Sequence, residues 1–248
     1  MENVILITGA SRGIGAATAL LAAQQGYRIC INYHADDNAA QQVLAQVREL
    51  GAEAIAVRAD ASVEDEVAQL FHRIDQELGP VSALVNNAGT IGQQSRLEEM
   101  SEFRLLKMMK TNVVGPMLCT KHALLRMSRR HGGQGGSIVN VSSVAARLGS
   151  PSEYVDYAAS KGALDTFTLG LSKEVAGDGV RVNAVRPGYI HTGFHALSGD
   201  PERVSKLVPG IPMGRGGQAE EVAEAILWLL SDKASYSTGT FIDLGGGR

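Results

Sequence analysis

Residues 4–15 read Val4-Ile5-Leu6-Ile7-Thr8-Gly9-Ala10-Ser11-Arg12-Gly13-Ile14-Gly15, and an Ala-rich run follows to about residue 25. Four consecutive aliphatic residues predict a short buried strand. Glycines at 9, 13 and 15 then let the backbone turn tightly, and the Ala-rich run predicts a helix that starts in this turn. The free N–H groups and the dipole at such a helix start suit a pyrophosphate, so the segment predicts a dinucleotide seat. Its spacing differs from GxGxxG, with Thr18 where that pattern wants Gly or Ala, and the absence of GK[ST] excludes a Walker loop.

The same strand-then-helix rhythm continues outward. Apolar or β-branched runs at 4–7, 29–32, 54–57, 83–86, 137–142, 180–185 and 240–244 predict seven strands. Helical patterns at 14–25, 37–50, 63–78, 101–130, 157–176 and 218–231 lie between them. Such alternation demands parallel crossovers, hence an α/β domain with helices on both faces of one sheet. The glycine patch Gly132, Gly133, Gly135 and Gly136 is a loop between helix and strand, and no repeat or Pro/Ser-rich linker divides the chain. Residues 189–217 break the rhythm with Pro201, Pro209, Pro212 and no clear strand, which predicts a lid.

Composition narrows the function classes. Over 248 residues, 44% hydrophobic and 20% charged side chains suit one packed globular domain. A net charge of −3 gives no general attraction to nucleic acid or anionic lipid. Cys30 and Cys119 form no CxxC pair, which argues against disulfides, a redox dithiol and thiolate metal sites. No apolar run approaches the roughly 20 residues needed to cross a bilayer, and the start lacks the pattern of a secretory leader, so a cytoplasmic location is expected.

Four motifs in order, TGASRGIG at 8–15, NNAG at 86–89, YAASK at 157–161 and RPG at 186–188, resemble those of a classical short-chain dehydrogenase/reductase across the whole chain. NVSSVAARLGSP at 140–151, EYVDYAASKGALD at 153–165 and TGTFIDLGGG at 238–247 look most like glucose 1-dehydrogenase-like and 3-oxoacyl-carrier-protein-reductase-like members. The resemblance implies a single Rossmann-type doubly wound domain over residues 1–248. It also implies hydride transfer between a nicotinamide and a carbonyl or secondary alcohol.

In such folds an acidic residue at the end of the second strand selects NAD. Here that position is Tyr33, uncharged, and Arg12 resembles the basic residue of NADP-preferring members, with His34 or Asn32 as further donors. NADP is therefore the expected cofactor, ahead of NAD. The resemblance adds Gly9, Ser11, Gly13, Ile14 and Gly15 to the cofactor contacts. It adds Asp60 with Ala61 near adenine, Asn87 and Gly89 beneath the cofactor, and Pro187, Gly188, Ile190 and Thr192 around the nicotinamide.

Tyr157 and Lys161 stand four residues apart on a predicted helix, hence on one face. A free tyrosine has a pKa of about 10, and a nearby ammonium lowers it, making the phenol an acid or base for an alcohol or carbonyl oxygen. The resemblance makes Tyr157 that group and lets Lys161 also hold the nicotinamide ribose. The same resemblance implies that Ser143, rather than its competitor Ser142, steadies the reacting oxygen, and that Asn112 in KTNVVG anchors a water of a proton relay. The stretch from Ser143 to Tyr157 is a residue longer than in some relatives, so the loop around Pro151 must absorb it. His191, His195 and Met213 fall on the lid, without metal-ligand spacing.

The expected partner is a small carbonyl or alcohol substrate, either a sugar or other alcohol or a 3-oxoacyl thioester. For the latter, Arg126, Arg129 and Arg130 are the nearest basic cluster. A homotetramer is implied by the resemblance, through the helices after residues 101 and 157 and the C-terminal strand with its helix. The apolar run Ile226, Leu227, Trp228, Leu229, Leu230 hints at it. A non-catalytic NADP(H) sensor is the alternative, and it predicts damage to the Ser143, Tyr157, Lys161 and Asn112 set.

Overall fold

The computed structural model describes residues 3–194 and 198–248. Its strands are β1 (Val4–Ile7), β2 (Arg28–Tyr33), β3 (Ala54–Arg58), β4 (Ala83–Asn86), β5 (Gly136–Val141), β6 (Val180–Pro187), β7 (Ile190–His191), β8 (Gly217–Gln218) and β9 (Phe241–Leu244). The helices are α1 (Gly13–Gln24), α2 (Asp37–Glu49), α3 (Glu64–Glu77), α4 (Glu102–Met109), α5 (Gly115–Met127), α6 (Ala145–Leu148), α7 (Val155–Val175), α8 (Arg203–Leu207) and α9 (Ala219–Leu230). Seven strands form one parallel sheet in the order β3-β2-β1-β4-β5-β6-β9. This is the expected doubly wound, Rossmann-type arrangement. Its order reverses between β1 and β4, which opens a crevice at the carboxyl ends of those strands.

Residues alternate between two cores because successive side chains on a strand point to opposite faces. Ile5, Ile7, Ile29, Ile31 and Val139 pack with Ala22 of α1, Val43 of α2 and Ile226 of α9. Val4, Leu6, Cys30, Leu84 and Ile138 pack on the other face with Phe71 of α3, Met127 of α5 and Leu171 of α7. Each such side chain, fully buried, contributes about 1.5–3 kcal/mol relative to exposure. Burial of both cysteines, unpaired, pushes their thiols up.

Three local readings need correction. The helix expected over 101–130 is divided: α4 and α5 are joined by a π-helical turn, Lys110–Val114. Pro116 lacks the N–H that would bond the carbonyl of Asn112 in an α-helix, and the Gly115 N–H bonds Lys110 O instead. In the segment 189–217, β7 and β8 pair in parallel and tie the segment's two ends together. Two-residue strands are too short to display alternation. Finally, four members of the apolar run in α9 are buried inside the chain and only Trp228 is 42% exposed, because α9 packs on both the sheet and α1.

The loop around Pro151 carries strained backbone. Ser150 and Ser152 on either side of Pro151 adopt φ of 44° and 61°, in the region L-residues avoid. Among the described residues no helix is long and apolar enough to cross a membrane, and no group of three or more His, Cys, Asp or Glu could hold a metal ion.

Candidate active site

A cleft of about 990 Å³ runs across the carboxyl ends of the strands. Its wall brings together Gly9, Ser11, Arg12, Gly13 and Ile14 from the glycine turn, and His34, Asp60 and Ala61 from the ends of β2 and β3. Asn87 and Gly89 after β4, Ser143 after β5, Tyr157 and Lys161 on α7, and Pro187, Gly188, Ile190 and Thr192 after β6 complete it. Of the candidate residues Gly15 and Asn112 lie behind that wall, His191 and Met213 of the expected lid are exposed and do not line it, and His195 falls outside the described residues.

The glycines act through backbone space. Gly9 and Gly13 have φ of 62° and 56°. A Cβ at Gly9 would stand 2.9 Å from Ala88 Cα, and one at Gly15 would stand 2.6 Å from Asn87 Nδ2 and 2.7 Å from Gly9 O. Gly15 is therefore a packing glycine beneath the turn rather than a surface one. Asn87 is its counterpart: Nδ2 donates to Thr8 O at 2.9 Å and Gly9 O at 3.0 Å, locking the β4 end onto the turn. Thr192 closes the far side, 3.3 Å from where a Gly13 Cβ would lie. The first turn of α1 carries no acidic residue, so its N–H groups face the cleft uncompensated.

At the end of β2, Tyr33 donates its hydroxyl proton to Asp37 Oδ1 at 2.5 Å. Asn32 is not a free donor, since its Nδ2 is bonded to Val57 O and Ala59 O at 3.3 and 3.0 Å inside the fold. Asn32 is buried, whereas His34, just past the end of β2, lies outside with its side chain 73% exposed and 4.0 Å from Asp60. Asp60 Oδ1 accepts from the Ser62 N–H and hydroxyl at 2.9 and 2.7 Å, a local turn. Burial raises the Asp60 carboxyl, but the Ser62 bonds, His34 and Lys110 bring it net below its usual value. The Arg12 side chain is exposed and makes no hydrogen bond or ion pair among the described residues.

Helical spacing puts Tyr157 and Lys161 on one face of α7, both buried. Lys161 Nζ donates to Val141 O at 2.8 Å and lies 5.7 Å from the Tyr157 ring centroid. The expected lowering of the phenol by Lys161 is not what this arrangement produces. Burial pushes Tyr157 up to about 12, offset only in part by a hydrogen bond with Ser143. Burial likewise lowers Lys161 to about 8, against the pull of Asp165. Tyr157 is thus protonated at neutral pH, a proton donor rather than a ready base. The two serines also separate: Ser142 donates to Lys161 O at 3.3 Å, whereas Ser143 meets the phenol.

Asn112 is fully buried in the π-helical turn, and its side chain is satisfied by protein. Oδ1 accepts from Thr90 N at 2.8 Å, while Nδ2 donates to Thr90 O and Ser160 Oγ, both at 3.0 Å. Ser160 in turn donates to Tyr157 O at 2.7 Å, so Asn112 braces the helix carrying the phenol. A Cβ on Gly89 would lie 3.4 Å from Asn112 Oδ1 and 3.6 Å from Lys161 Nζ, which brings the three together.

Other residues went unnoticed in sequence. Asn86 Nδ2 donates to Asn140 Oδ1 at 2.8 Å, and Asn140 Nδ2 to Thr168 Oγ1 at 2.8 Å, a buried chain linking β4, β5 and α7. Asparagines within apolar strands were the available signal. Arg104 binds buried Asp156, beside Tyr157, through Nε at 2.7 Å and Nη2 at 3.1 Å. Arg203 pairs with Glu153 at 2.6 Å in the same region. Nothing local announces either pair.

The sequence pattern of the family described as enoyl-(acyl carrier protein) reductase matches residues 9–248. The oxidoreductase YgfF of Escherichia coli strain K12 is 56% identical over 99% of both chains. A 3-oxoacyl-[acyl-carrier-protein] reductase of Synechocystis sp. is 39% identical over 99% of this chain and 96% of that protein. A FabG reductase of Staphylococcus epidermidis is 34% identical over 100% of this chain and 99% of its own. The crystal structure of a short-chain type dehydrogenase/reductase from Mycobacterium marinum superposes with a TM-score of 0.92 at 32% identity, covering 99% of this chain and 94% of that one. Strand order, cleft and kinship agree, and the chain belongs to the classical short-chain dehydrogenase/reductase family of oxidoreductases.

Proposed function

We propose that the protein is an NADP-dependent oxidoreductase that interconverts a carbonyl compound and its alcohol, with Tyr157 as proton donor in reduction. The observation that carries this reading is a buried, protonated phenol in one cleft with Ser143, Lys161 and the glycine turn. The site fits a dinucleotide: the turn leaves no room for Cβ atoms at Gly9 and Gly15, and the α1 N–H groups are uncompensated by any acidic residue. Bound nucleotide supplies hydride. The chain supplies the rest: Tyr157 Oη gives its proton to the carbonyl oxygen, and Ser143 Oγ steadies that oxygen as charge develops. Lys161, held on Val141 O, keeps a positive charge beside the ribose position below about pH 8. Asn112 fixes the start of α7 through Ser160.

Preference for NADP over NAD rests on Arg12, free beside the turn, and on the uncharged Tyr33. The segment 189–217 serves as a lid hinged on the β7–β8 ladder. The relatives' names make a 3-oxoacyl thioester one substrate class and a sugar or other alcohol the second. Arg126 and Arg130, paired with Asp75 and Asp178, stand at the opposite end of the sheet from this chain's own cleft. A homotetramer in the cytoplasm completes the reading, with exposed Leu169, Trp228 and Tyr236 as contact residues, and a monomer by light scattering would exclude it. The decisive assay follows NADPH and NADH consumption over ketones, aldehydes, quinones, sugars and short oxoacyl thioesters. Turnover with NADPH preferred is expected, and binding of nucleotide with no turnover across the panel would leave a sensor instead.

A further inference from the structure

The cleft holds a second polar cluster that the chemistry above does not use. Arg203 is the first residue of α8, and Tyr154 immediately precedes α7, three residues before Tyr157. Both line the cleft, yet they are only 6% and 3% exposed. The Arg203 guanidinium carbon stands 5.0 Å from the Tyr154 ring centroid and 5.8 Å from that of Tyr189. One nitrogen, Nη2, donates to Glu153 Oε2 at 2.6 Å. Nε and Nη1 meet no hydrogen-bond acceptor among the described residues, and the Tyr154 hydroxyl is sealed from solvent without a partner.

A buried hydroxyl left unpaired is unfavourable, and the two guanidinium nitrogens without a protein acceptor stand open to a ligand in the cleft. Their convergence on one wall calls for an acceptor-rich group, and the planar guanidinium fork matches a carboxylate. Glu153 sets the charge: its carboxylate already balances the guanidinium, so a carboxylate ligand adds one negative charge and is held through the remaining N–H groups, whereas a dianion such as a phosphate monoester adds two and is repelled more strongly. Tyr154 precedes Tyr157 by nearly one helical turn, a rise of about 4.5 Å, so the bound carboxylate lies a few bonds from the reacting carbon.

We propose that Arg203 and Tyr154 form a carboxylate-recognition site, and that the substrates of this cleft are short oxo acids or the corresponding hydroxy acids. This rests on the reading of Tyr157 as proton donor to a carbonyl. Matched probes test it: 4-oxobutanoate against butanal, and 6-oxohexanoate against hexanal, each with NADPH. The readout is the ratio of kcat/KM for acid over aldehyde. It exceeds one in the native protein for at least one pair, falls about tenfold or more in Arg203→Gln, and is partly kept in Arg203→Lys, as loss of a charge-assisted bond predicts. Tyr154→Phe, which keeps the ring under the guanidinium, lowers the same ratio through KM. A native ratio at or below one for both pairs overturns the proposal. So does an equal loss for acid and aldehyde in Arg203→Gln, the mark of a purely structural clasp.

Calorimetric titration of the NADPH-saturated protein with 4-oxobutanoate and butanal separates the two layers of the argument. Preferential binding of the acid without reduction removes the catalytic reading and keeps the carboxylate site. Reduction of butanal with no preference for the acid removes the site and keeps the catalytic reading.

Discussion

The two walls of the cleft are built by different physics. The nucleotide wall, from β1 to the Asn87 turn, is made largely by backbone: positive-φ glycines, an open helix start and the Thr8 and Gly9 carbonyls that Asn87 Nδ2 holds. The substrate wall is made by side chains that meet across long stretches of chain. Arg104 reaches Asp156 and Arg203 reaches Glu153, fifty-two and fifty residues apart. Ser150 and Ser152 hold strained backbone between them. A backbone wall receives whatever shares the common phosphate-bearing half of a cofactor, whereas a side-chain wall can be rewritten one residue at a time to change what it accepts.

Five substitutions and one titration press on this contrast. Tyr157→Phe acts where the walls meet: it should lower kcat about a thousandfold, within the range for losing a general acid, while the NADPH dissociation constant by fluorescence titration stays within about twofold. Asp156→Ala strips one partner from a pair whose acidic side chain is 2% exposed, and urea unfolding should record a loss of roughly 3 kcal/mol or more. Its KM for carbonyl substrate should rise more than its NADPH dissociation constant, since the damage lies on the substrate wall. The reverse pattern marks Gly15→Ala: overpacking against Asn87 and Gly9 O of roughly 1–3 kcal/mol should weaken NADPH about ten- to a hundredfold.

A smaller effect separates the cofactors. Arg12→Ala should weaken NADPH about tenfold and NADH less, by loss of a charge-assisted contact, and equal losses would remove Arg12 from the phosphate site. The smallest is a pH profile. Lys161 is charged below about pH 8 and neutral above it, so kcat/KM for reduction should decline as pH rises through that value. Tyr157, near 12, contributes no second inflection at neutral pH. Lys161→Arg, which keeps its charge, should flatten the decline even if the overall rate drops.

How much of this was legible beforehand follows from the same contrast. The strands of the main sheet could be read because most are buried on both faces and therefore largely apolar, the edge strand β9 being the most exposed. The glycine turn, Ser143, Tyr157 and Lys161 were legible because each sits at the end of a strand or on one turn of helix, where spacing fixes position. Asn32 was misread as a donor toward the cleft because its amide is taken by the Val57 and Ala59 carbonyls, a contact between strands that spacing along β2 does not reveal. The acidity of Tyr157 was misread for another reason: proximity to Lys161 is a property of the helix, but the depth of burial that outweighs it belongs to the whole fold.

By itself, the order of residues determined the α/β class, the seven strands and the identity of the glycine turn, since hydrophobic periodicity and conformational freedom are properties of short stretches. Only the tertiary structure decided that Tyr157 keeps its proton, that Asn112 braces α7 from behind the wall, and that Arg203 and Tyr154 face the same cavity. Those facts depend on solvent exclusion and on contacts between segments far apart in the chain, and both arise only when the chain has closed on itself.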